Sequence, residues 1–215
     1  MLLRKVVEFF LKRPTVLLTA FDSFGGRRIN SSERFVFSAD IAEVEEALGI
    51  NIERRILPVV WGQATAILLD AISTLRPEAV LCFGEASGTE LRLETKARNW
   101  SHGKVADNDG VAKEGCRILE RVLEYYGGKL PSEDIKYALA REGFASSLSE
   151  DAGSFLCNEV FFHVLHFAQS HSWLHQAGFI YVPIDWELQW GNRWGLVEQT
   201  TKHVCCILKC VLAGN

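Results

Sequence analysis

Along this chain, short apolar runs alternate with longer stretches whose apolar residues recur at helical spacing. Thr15 to Phe21 (TVLLTAF) is a brief apolar run ending in loop residues, the form of a buried parallel strand. Asn30-Ser31-Ser32-Glu33 reads as a cap entering a helix that runs toward Leu48. Asn51 to Leu57 predicts a second strand, closed by Pro58. Ala64, Ile67, Leu68, Ala71, Ile72 and Leu75 then share one helical face. Glu78 to Gly84 is another core strand, halted at Glu85-Ala86-Ser87-Gly88. Leu91 to Val105 is polar and shows no clear period. Helices are predicted over residues 111–126 and 132–141, and a strand over 145–148. Behind Cys157, the residues Leu156, Val160, Phe161, Val164, Leu165 and Ala168 mark a helix. A strand from Gly178 to Ile184 and a helix from Val197 to Leu212 complete the pattern.

Strand, helix, strand, helix, strand is the order of an α/β sheet with right-handed crossovers. The expectation is one domain over residues 15–215, a three-layer α/β/α sandwich with a mostly parallel, twisted sheet. Residues 1–14 form an N-terminal extension, in which Arg4, Lys5, Glu8, Lys12 and Arg13 alternate with apolar positions as in a short amphipathic helix. Loops after the strand C-termini carry the site in such folds. Phe21–Gly26 and Gly84–Gly88 should therefore lie close together. Trp186, Trp190 and Trp194 recur every four residues and read either as an aromatic cap over the site or as a packed lid helix or turn.

Composition narrows the chemistry. With 215 residues, 48% of them hydrophobic, the chain can bury one large core. A net charge of −4 argues against nucleic acid as a partner. No run reaches the ~18–20 apolar residues that span a membrane. The six cysteines include the adjacent pair Cys205 and Cys206 and read as free thiols of a reducing cytoplasm. His203, Cys206 and Cys210 share a helical face, and His171 lies four residues from His175, but neither group has a matching second pair for a metal. Gly25-Gly26 lacks the spacing of a nucleotide-binding loop. No cofactor is called for.

Ala152-Gly153-Ser154-Phe155-Leu156-Cys157-Asn158 delivers a thiol where a loop becomes a helix. A cysteine in a first helical turn sits at the positive end of the helix dipole, which favours its thiolate. A buried cysteine can equally be a small hydrophobe.

With these pieces in order, the chain from Thr15 onward resembles the pyroglutamyl peptidase I family, the pyrrolidone-carboxylate peptidases. Phe21-Asp22-Ser23-Phe24-Gly25-Gly26 is similar to that family's FDPFGG, and Ile29-Asn30-Ser31-Ser32 to its INPS. Leu57 to Val60 resembles LPVV, Asp107 to Gly110 resembles DNEG, and Ala152 to Asn158 resembles AGTFVCN. The resemblance implies a phosphorylase/hydrolase-like fold and a Cys–His–Glu site that removes an N-terminal pyroglutamyl residue. It makes Cys157 the nucleophile and Glu94 the acidic member. Phe21 and Phe24 would bracket the lactam ring, with Asn30 and Phe155 as further substrate-binding residues. It also implies an oligomer of identical chains.

Where the family has GFIHVP, this chain has Gly178-Phe179-Ile180-Tyr181-Val182-Pro183. With a reference pKa of about 10, Tyr181 cannot take the thiol proton as an imidazole does. His102 is the nearest replacement in sequence. His163 and His166 lie well along the cysteine's own helix. Glu85 replaces a neutral amide of the family and could receive a substrate amine. The expected function is a cysteine-dependent amide hydrolase of altered substrate or mechanism, acting on a peptide N-terminus or small amide. The alternatives are an inactive member serving as a binding or structural module, and an enzyme repurposed for small-molecule biosynthesis.

Overall fold

β1 (Thr15–Phe21) is buried along nearly its whole length, and its alternate residues serve opposite cores. Val16, Leu18 and Ala20 face one way, Leu17 and Phe21 the other, as a pleated strand buried on both faces requires. In this computed structural model, which describes residues 13–214, β1 pairs in parallel with β2 (Asn51–Leu57) and β3 (Ala79–Ala86). Next to β3 lies β10 (Gln176–Pro183), again parallel. The sheet order is β2-β1-β3-β10-β4-β9. β4 (Leu91–Glu94) runs antiparallel to β10, and β9 (Ser146–Ser149) runs parallel to β4.

Helices cover both faces. On one lie α1 (Ser31–Ser38), α2 (Ile41–Leu48), α4 (Ser132–Arg141) and α6 (Arg193–Ala213). On the other lie α3 (Gln63–Leu75) and α5 (Leu156–Ser170), packed on Val80, Cys82, Phe179 and Tyr181. Full burial of side chains such as Phe161 and Phe179 contributes about 1.5–3 kcal/mol each. Two short ribbons extend this second face. They pair β5 (Lys96–Arg98) with β8 (Tyr125–Gly127), and β6 (Ser101–Gly103) with β7 (Lys113–Cys116). The architecture is the expected α/β sandwich with a mostly parallel sheet.

Two local expectations change, and two stretches left open resolve. The single helix toward Leu48 is two helices, because Ala39 is extended and the Asp40 side chain accepts from Glu43 N–H to cap a new start. The helix expected over residues 111–126 is absent. That stretch is β7, a turn and β8, and its Ile118, Leu119 and Val122 pack beneath α5 from irregular backbone. The polar stretch from Leu91 resolves into β4, β5 and β6. The tryptophan segment is a 3₁₀ turn (Trp186–Trp190) whose Trp186 is buried against Phe35 and His203, so it belongs to the α1–α6 core and does not cover Cys157. The amphipathic stretch expected at the N-terminus falls, up to residue 12, outside the described residues.

The six cysteines are free thiols. Among the described residues no His/Cys/Asp/Glu cluster could hold a metal, and no helix is long and apolar enough to cross a membrane.

Candidate active site

Cys157 is the second residue of α5, and the cap residue Phe155 closes the helix start with no side-chain hydrogen bond. The first-turn N–H groups, which have no carbonyl inside the helix, therefore open toward the thiol. Gly153 makes the approach possible: its φ of 77° is a left-handed turn that side chains rarely adopt. Asn158 anchors the helix start. Its amide accepts from Arg98 N–H and donates to the Arg98 and Trp100 carbonyls at 2.8 Å each, tying α5 to β5 and to the turn that leads into β6. The residue Cys157 is half-buried, but its sulfur points inward over Gly84, where an added Cβ would stand 3.1 Å from it.

Register brings the next residues to the same face. Tyr181 pairs with Gly84 on one side and with Arg92 on the other, and Phe179 pairs with Glu94. Leu91 and Leu93 face the α1–α6 core, so Arg92 and Glu94 point to the α5 side with Tyr181 and Cys157. The Tyr181 hydroxyl donates to the Ala152 carbonyl at 2.8 Å and lies within hydrogen-bonding reach of the Cys157 sulfur. Arg92 Nε donates to Glu94 Oε1 at 2.9 Å, and its guanidinium carbon stands 4.6 Å from the centre of the Tyr181 ring. Glu94 is fully buried, and its Oε2 has no well-aligned partner among the described residues.

The electrostatics follow from this enclosure. Burial pushes the Cys157 thiol up to about 12; the Tyr181 hydroxyl draws it down, while Glu85 and Glu94 push it further up. Burial likewise raises Tyr181 well above the ordinary phenol range. Burial lifts Glu94 above the usual carboxylate range against the opposing pull of Ser149 and Arg92. None of the groups acting most strongly on the thiol is an imidazole. The backbone of His102 bonds to Ser154 at 2.7 Å, His166 shares a hydrogen bond with Tyr126, and His163 feels Glu159 and Lys113.

Beside the helix start stands an aromatic group. Phe155 packs on Phe24 at 5.4 Å and on Trp61 at 4.8 Å, while Phe21 is buried beneath. Asn30 is fully engaged in holding its own loop: it accepts from the Ser32 N–H and hydroxyl and donates to the Asp22 carbonyl. Glu85, expected to meet a substrate amine, is also occupied, since its Oε2 accepts from Ser31 N–H at 2.8 Å and its Oε1 lies 3.6 Å from Arg27. That contact joins the two strand-end loops, as the topology required. A cavity of about 100 Å³ lined by Ser87, Arg92, Ser147 and Tyr181 opens next to the phenol. Larger clefts of about 640 and 760 Å³ lie on the α1 side, away from Cys157.

A family profile described as pyroglutamyl peptidase matches residues 14–189. The chain belongs to the pyroglutamyl peptidase family. It is 33% identical to a pyrrolidone-carboxylate peptidase of Bacillus thuringiensis (strain Al Hakam) over 170 residues, 79% of this chain and 78% of that one. The corresponding protein of Bacillus cereus (strain AH820) is 32% identical over the same length. A mutant pyrrolidone carboxyl peptidase from the hyperthermophile Pyrococcus furiosus superposes with a TM-score of 0.80 at 27% identity, covering 93% of this chain and 99% of that chain.

As a pyroglutamyl peptidase family member, the chain is at family level a hydrolase on an α/β sheet. The residues that sequence reasoning singled out fall into two groups. Cys157, Tyr181 and Glu94 share one face, with Phe24 and Phe155 at its rim, whereas Asn30 and Glu85 hold the adjoining loops. Two residues escaped notice. Trp61 directly follows the Leu57–Val60 segment, and that adjacency was the available signal; its indole is half-buried. Arg92 had none, because its meaning lies in its strand partner Tyr181.

Proposed function

We propose that this pyroglutamyl peptidase family member is a thiol-dependent amide hydrolase acting on a peptide N-terminus or small cyclic amide, and that it works slowly at neutral pH. The observation that carries this reading is the Cys157 sulfur at an open helix start, held against the Tyr181 hydroxyl beside the Phe24–Phe155–Trp61 group.

The thiolate of Cys157 attacks the carbonyl carbon, and first-turn N–H groups of α5 receive the oxyanion. As the C–N bond breaks, Tyr181 gives its proton to the leaving amine. The resulting phenolate takes a proton back from water, whose hydroxide cleaves the thioester and frees Cys157. The barrier rises because a thiol of about 12 is almost entirely protonated at pH 7. A thiol held up contributes reactivity only as pH climbs toward that value.

Hydrolysis of a pyroglutamyl-amide reporter, measured from pH 7 to 9.5, tests the reading. The expected kcat/KM rises about tenfold per pH unit and is lost in Cys157→Ala. Turnover that survives Cys157→Ala, a flat pH profile, or a wild type that binds the reporter without cleaving it at any pH would overturn it.

A further inference from the structure

Two carboxylates bear on the Cys157 sulfur, Glu85 from β3 and Glu94 from β4, and each has its own arginine. Arg27 serves Glu85, with its Nη2 also bonded to Asp185 at 2.6 Å. Arg92 serves Glu94 through Nε at 2.9 Å, and lays its guanidinium over the Tyr181 ring at 4.6 Å. Further titratable groups around this cluster are Cys82 on β3, Asp151 near Glu94, Glu187 near Arg27, and Glu90 lining the small cavity. Among the described residues, Arg92 is thus the cation that touches both groups flanking the nucleophile on the β4–β10 side.

We propose that Arg92 is a positioning residue for this site: it cancels the Glu94 charge that faces Cys157 and polarises the Tyr181 hydroxyl toward the sulfur. The proposal rests on Cys157 being the reactive group of the proposed hydrolase. Its test needs no turnover, so its failure is read separately from a failure of the hydrolase reading. The physical reason is local. An uncompensated buried carboxylate repels a thiolate, and a cation over the face of a phenol favours loss of electron density from its O–H. Lysine in this position would keep the charge but lose the planar group that stacks and bonds at once. Arg92 is about one-third exposed, so solvent screens part of its effect.

The test is the rate at which iodoacetamide alkylates Cys157 in the folded protein at pH 9, read by site-resolved mass spectrometry. R92Q is expected to slow this rate by roughly three- to tenfold, the scale of a half to one pKa unit for a partly screened charge. R92K should fall between R92Q and the wild type. E94Q removes the repulsion and leaves Arg92 unopposed, so it should speed alkylation by a similar factor. R92Q/E94Q together should return close to the wild-type rate. A general loss of packing would move E94Q and the double variant the same way as R92Q. An R92Q rate within a factor of ~1.5 of wild type, or an E94Q rate unchanged or slower, overturns the proposal. If R92Q does not fold, E94Q alone decides it.

Discussion

The hydroxyl of Tyr181 has two acceptors and one hydrogen. With Cys157 as a thiol, that hydrogen rests on the Ala152 carbonyl; with Cys157 as a thiolate it must turn to the sulfur and give up that bond. The net gain is the difference between two hydrogen bonds, which is why the tyrosine only partly offsets burial. An imidazole here would take the proton instead, near its reference pKa of about 6.5. Tyr181→His is therefore expected to raise kcat/KM for a pyroglutamyl-amide reporter at pH 7.5 by roughly tenfold or more. The gain should stay below the ~10²–10⁴ typical of a general base, because Arg92 already holds Glu94. No gain would mean that the base is not what limits the reaction. At this scale the legible residues were those carried by contiguous motifs, Cys157 and Phe155 above all. The charge of Glu85 could be read, but its partners Ser31 and Arg27 could not, because they arrive from another strand's loop.

Among the elements, β3 and α5 meet where no side chain can stand. A Cβ at Gly84 would lie 2.8 Å from the Phe179 ring and 3.1 Å from the Cys157 sulfur. Gly84→Ala should cost about 1–3 kcal/mol, as overpacking of a filled core does, and should alter Cys157 alkylation as well. A variant as stable as wild type in urea would show that the ring and sulfur can move aside. The strands and helices of the main sheet were legible because their apolar periods are long and regular. The break at Ala39 was also written in the chain, as Asp40 followed three residues later by Glu43, the form of a capping box. Residues 111–126 misled for a physical reason: Ile118, Leu119 and Val122 reach the same side of α5 from a turn, mimicking a helical stripe.

Over the whole molecule, the α1–α6 side depends on a neutral histidine. His203 stacks on Phe144 at 3.5 Å and stands edge-on to Trp186, and its Nδ1 carries the hydrogen because its partner, the Gln199 carbonyl, only accepts. Burial lowers it to about 4. A base depressed from ~6.5 contributes stability that is complete above pH ~6.5 and lost as pH falls toward 4, up to about 3 kcal/mol. His203→Phe should flatten that part of the urea midpoint's fall between pH 7 and 4.5; an unchanged slope would place the acid sensitivity elsewhere. The path of the chain carries one more consequence. β3 and β10 are neighbours in space, yet the paired residues Ala79 and Gln176 are widely separated along the chain. The site straddles that seam, with Gly84 on one strand and Tyr181 on the other. Loop closure over such separations is slow. During refolding, then, helical content and the β1–β2–β3 half should return first, and the reactive thiol's environment should be among the last features to mature.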